Sequence, residues 1–201
     1  MPRTARSLLV CLLTLSAASA SGADERRALD AHVHGEGTLD IAIDGGTVTL
    51  ILAAPGADIV GFEHRAATAE DRAAIEAAIA DLARPLDLFV LPDAAGCTVT
   101  MAEVSLQGGD EADDGHGHGN DHGHDHGDEH GDDHGAGDHT EFHADYTLTC
   151  AAPEALDRID FRYFDRFAGA QRLAVQIVGA GPAQAVTVGR DAPEIDLGAL
   201  F

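Results

Sequence analysis

Hydrophobic and polar residues alternate from position 38 to 43, with Leu39, Ile41 and Ile43 on one side and Asp40 and Ala42 on the other. A two-residue period predicts a strand with one buried face. Asp44-Gly45-Gly46 follows as a tight-hairpin signal, residues 47–52 supply a return strand rich in β-branched side chains, and Pro55 and Gly56 end it. Thr68-Ala-Glu-Asp71 then offers an N-cap and first-turn acids. Behind it Ile75, Ala78, Ile79 and Leu82 recur at helical spacing, and Pro85 stops the helix near Arg84. Residues 86–91 and 97–106 read as strands. Phe142, Ala144, Tyr146, Leu148 and Cys150 alternate along another, and residues 159–164, Arg172–Val178 and 183–188 supply three more, with a single helical turn at 153–156. The pattern predicts an α+β fold, an antiparallel β-rich domain with one main helix.

One stretch breaks the pattern. From Gly115 to His143 the chain reads GHGHGNDHGHDHGDEHGDDHGAGDHTEFH, with no apolar residue before Phe142 except Ala136. Such a segment buries too little apolar surface to offset chain entropy, so residues 111–138 are expected to form a long disordered His/Asp/Gly loop. The predicted organisation is a leader at 1–20, the two halves of a single domain at 21–110 and 139–201, and the loop between them. In the leader, Arg3 and Arg6 precede the apolar run from Leu8 to Leu15, and Ala18-Ser19-Ala20 is a small-residue cleavage signal, with Ala23 as the alternative. The run is too short to span a membrane. Val10 stands before Cys11 where a lipoprotein signal needs a small residue. The mature chain is therefore expected outside the cytosol, without membrane insertion.

Composition sharpens this picture. The chain has 201 residues, 45% of them apolar, no Trp and 4% aromatic, which predicts a modest core of Ala, Val, Leu and Ile. The formal charge is -23 and every basic residue is Arg. That balance argues against nucleic acid or anionic lipid as a partner and favours cations. Loss of Cys11 with the leader leaves Cys97 and Cys150, an even pair expected to form a disulfide in an oxidising compartment. It would close a loop of roughly 50 residues, a constraint of about 4 kcal/mol on the unfolded chain. The alternative, two thiolate zinc ligands, lacks any CxxC spacing.

Histidine carries the candidate chemistry. His116, His118, His122, His124, His126, His130 and His134 lie in the loop among acids that attract a cation and glycines that let the chain wrap it. Several weak or moderate sites are expected, fading as pH falls through about 6.5 because ligation needs neutral imidazole. Outside the loop, His32-Val33-His34 would present both rings to one ion if extended, and His64, after Glu63, would complete a three-histidine set. His139, Glu141, His143 and Asp145 form another group, with His143 and Asp145 on the strand face opposite Phe142 and Tyr146. Imidazole with carboxylate suits Zn²⁺, and also copper and nickel.

These residues also carry a resemblance. Ala31-His-Val-His-Gly35, the run from Leu39 to Gly45, Ala54-Pro-Gly-Ala-Asp58, Val60-Gly-Phe-Glu-His64, the His/Asp loop, His139-Thr-Glu-Phe-His143-Ala-Asp-Tyr146 through Cys150, Pro153 and Leu156, Phe164-Asp-Arg-Phe167 and Val175-Gln-Ile177 together resemble the zinc-regulated periplasmic proteins of the ZrgA type. The resemblance spans essentially the whole mature chain. It departs at Gly181-Pro182, where members often carry Gly-Gln. It implies a periplasmic zinc-binding accessory that captures zinc and delivers it beside an ABC-type zinc importer, and it implies no enzyme activity. Two other readings stand beside it. One is a buffer for nickel or copper. The other is a zinc-dependent hydrolase on His32, His34 and His64 with Glu63 or Glu36 as base; it has no HEXXH motif to support it.

Overall fold

Leu39 faces Leu52, Ile41 faces Leu50 and Ile43 faces Val48 across the first hairpin, and all six side chains are buried. The hairpin joins β1 (Glu36–Asp44) to β2 (Thr47–Pro55) through Gly45 and Gly46. Gly45 takes the left-handed φ of +55° that such a tight turn demands. The computed structural model describes residues 33–108 and 139–198. The leader, His32 and the seven loop histidines from His116 to His134 lie outside the described residues.

After β2 come α1 (Gly56–Ile59), α2 (Ala69–Leu82), α3 (Pro85–Leu88), β3 (Phe89–Val90) and β4 (Cys97–Gln107). Beyond the loop lie β5 (Glu141–Cys150), β6 (Arg158–Phe161), α4 (Tyr163–Arg166), β7 (Arg172–Val178), β8 (Gln184–Gly189) and β9 (Glu194–Asp196). Six strands form one sheet in the order β4-β5-β2-β1-β7-β8, and β3-β6-β9 form a second. The large sheet buries one face, where Leu39, Leu50, Leu52, Tyr146, Leu148, Leu173 and Ile177 are inaccessible. Its other face carries exposed Asp40, Asp44, Ile51 and Asp145. Ala78 and Leu82 of α2, Leu88 of α3 and Phe89, Ile159 and Phe161 of the small sheet belong to the same core as the buried face. This is an α+β, β-rich architecture. No helix among the described residues is long and apolar enough to cross a membrane.

Several details differ from the sequence reading. Residues 86–91, read as a strand, begin as α3, because Pro85 occupies the first helical turn, where its missing N–H costs nothing; only Phe89 and Val90 pair, with Phe161 and Asp160. The strand expected over 159–164 turns into α4 after Phe161. The large sheet is mixed, since β1 and β7 run parallel. The core is also more aromatic than composition suggested. Few as they are, Phe89, Phe142, Phe161, Phe164, Phe167, Tyr146 and Tyr163 are all buried. Phe89 meets Phe161 edge-on at 5.6 Å and stacks with Tyr163 at 6.0 Å. Fully burying one such side chain contributes roughly 1.5–3 kcal/mol.

Cys97 and Cys150 face each other at one end of the β4–β5 pair and are joined by a disulfide. At the other end, Gly108 and His139 flank the loop and lie in contact, so that a Cβ on Gly108 would strike the His139 carbonyl. The register of the pair shifts between Val99 and Met101, and Thr100 donates its hydroxyl to Thr147 O at 3.0 Å across the bulge. Such a bulge blunts an otherwise open edge strand.

Candidate metal site

Three chain segments converge where the loop departs. The first is a turn before β1, closed by Glu36 N–H donating to Val33 O at 3.0 Å. Gly35 sits third in it with φ +85°, which suits glycine at that position. His34 occupies the outer corner, 69% exposed. The HVH run is therefore turned rather than extended at His34. The second segment runs from α1 through Gly61, at φ +87°, to Glu63. The third is His139 and Thr140, which lead into β5.

Glu63 joins the other two. Its side chain is 10% exposed; Oε2 accepts from His139 Nδ1 at 2.5 Å and Oε1 lies 3.2 Å from His34 Nε2. Burial pushes the Glu63 carboxyl up, but the hydrogen bond from His139 and the proximity of His34 outweigh it, so it sits below the ordinary glutamate value. With one nitrogen of each ring on the carboxylate, His139 Nε2 and His34 Nδ1 are the nitrogens left for a metal. A carboxylate beside a ligating imidazole in this way fixes the orientation of the ring.

The other described candidates, His64 and His143, have partners of their own. The His64 ring stacks on Phe62 at 4.6 Å, and its Nδ1 donates to Arg65 O at 2.9 Å. His143 lies on the outer face of β5, where Nε2 donates to Glu141 Oε2 at 2.5 Å. Its cross-strand neighbours are Ser105 and Ala53. His143 and Asp145 do face away from Phe142 and Tyr146. Among the described residues no group of three or more His, Cys, Asp or Glu side chains is arranged to hold a metal ion, so the trio supplies two imidazoles and not a shell of its own. From the sequence Glu63 stands out as the neighbour of His64 and as a candidate base, not as the partner of His34 and His139. Its partner His139 is 76 residues away, and nothing local announces that contact.

The sequence profile described as ZrgA family zinc uptake protein matches residues 31–197. No curated protein matches the chain.

Proposed function

The chain belongs to the ZrgA family of zinc uptake proteins, and on that premise we propose that it acts in the periplasm as a zinc-binding accessory that captures the ion and passes it on. The observation that carries this reading is Glu63 holding imidazoles from two distant segments beside the exit of a histidine-rich loop. On this reading the loop gathers ions and the His34–Glu63–His139 trio receives them, with His32 or loop histidines completing the shell. Both imidazoles are two-thirds exposed. Exposure suits exchange with an incoming ligand, whereas a structural zinc site is closed by four protein ligands. The receiving partner would be a component of a zinc ABC importer. No reaction is assigned.

Deleting residues 115–138 should lower the zinc stoichiometry and leave one tight site, as read by calorimetry. Loss of every tight site on deletion would overturn the two-tier arrangement. A strain lacking the protein should grow poorly under zinc chelation and normally under nickel or copper excess. The opposite pattern would favour a buffer for those metals, whose ligand preferences overlap with those of zinc.

A further inference from the structure

We propose that the short helix α1 is the positioning frame of the metal site, with Asp58 fixing the turn that carries His34 and Gly56 letting the Glu63 and His139 segments close together. The inference rests on the reading of that trio as the zinc site and deepens it by naming residues that act through the donors.

Asp58 is 2% exposed, and burying a carboxylate is costly unless hydrogen bonds satisfy it. Its Oδ1 accepts from Gly35 N–H at 2.6 Å, a bond strengthened by the acceptor's charge. The Gly35 carbonyl accepts from Gln171 N–H at 3.0 Å and Arg172 N–H at 2.9 Å. The peptide groups on both sides of Gly35 are thus held, and His34 is the adjoining residue, left with little beyond its own side-chain rotations. α1 is itself wedged in place, since a Cβ on Gly169 would come within 2.7 Å of the Ala57 and Asp58 carbonyls.

The same helix reaches the other two members of the trio through their neighbours. Gly56 N–H donates to Thr140 O at 2.7 Å, and Thr140 follows His139. A Cβ on Gly56 would strike Thr140 Oγ1 and lie 2.7 Å from the Phe62 carbonyl, and Phe62 precedes Glu63. Each member of the trio is therefore one residue from a contact with α1. Residues 56 and 58 supply no metal ligand on this account; they set the distances between those that do.

The test uses the full mature chain and its first equivalent of zinc, titrated against a competing chelator. His34→Ala should loosen that equivalent by about tenfold or more, and Asp58→Ala should do the same, in the range seen for residues supporting a ligand. Combining them should add little, because both losses run through one imidazole. Asp58→Asn, which keeps an acceptor for Gly35 N–H, should recover most of the affinity. If Asp58→Ala does not fold, Asp58→Ser serves as the shortened variant. A first equivalent loosened by His34→Ala but not by a folded Asp58 variant overturns this inference alone, as does full additivity in the double variant. A first equivalent indifferent to His34→Ala overturns the assignment of the site, and this inference with it.

Discussion

Glu63 is a buried-side carboxylate whose usefulness depends on two rings it does not adjoin in sequence. Glu63→Gln keeps the shape but removes the charge that holds both imidazoles, and should weaken the first zinc equivalent by about 10–100-fold in a chelator competition. The same residue makes a pH prediction. Its pKa in the fold is below the ordinary 4.5, so its contribution to stability is present above that value and is lost as pH falls through the lowered one. The difference in urea midpoint between wild type and Glu63→Gln, measured without metal, should therefore be present at about pH 5.5 and shrink toward pH 3. A difference that grows on acidification would mean the carboxylate is not stabilised by its imidazoles. At this scale the sequence was legible for residue type but not for partnership. His34 and His139 stood out as candidate ligands. Asp58 stood out only as the last residue of a run shared with the family, because nothing near it shows that its partner is the amide of Gly35.

Where local signals agree, whole elements can be read. The α2 helix opens on a full capping box: Thr68 Oγ1 accepts from Asp71 N–H at 3.0 Å, and Asp71 Oδ2 accepts from Thr68 N–H at 2.9 Å. The spacing of Ala78 and Leu82 then matches what is buried. Thr68→Ala should cost about 1 kcal/mol of stability in denaturant melts. The backbone bond from Thr68 holds the Asp71 carboxyl below its ordinary 3.8, so the cap should persist to lower pH than a free aspartate would and fail only as pH drops through that lowered value. The 86–91 segment was misread because a short apolar run has no period long enough to separate helix from strand. The pairing of β1 with β7 was unreadable for another reason. Alternation fixes which face is buried, yet β1 carries no mark of whether its far neighbour runs with it or against it. β9 escaped altogether, since three residues, Glu194–Asp196, hold only one apolar position.

Across the whole molecule, the disulfide and the proposed metal site sit at opposite ends of β4 and β5. Cys97 faces Cys150 at one end, while Gly108 and His139 touch at the other. The strands between them extend about 30 Å at the usual rise per residue. Both devices act on the same long excursion of chain, but by different means. The bond joins residues 53 apart and restricts the unfolded ensemble; replacing both cysteines by serine should cost about 4 kcal/mol in the chain-entropy account. Zinc acts on the folded state, so ion at about a hundred times the dissociation constant should add about 2.7 kcal/mol, raising Tm by roughly 5–10 °C for a domain of this size. Because the two ends are separate, the effects should add. The cysteine-free protein, if still folded at low temperature, should bind its first zinc equivalent with wild-type affinity and gain the same stabilisation from it. Loss of the first equivalent on removal of the bond would mean that the site depends on tension carried along β4 and β5. Retained affinity would place its geometry in the segments around α1, where Gly56 is bonded to Thr140 and Asp58 holds Gly35.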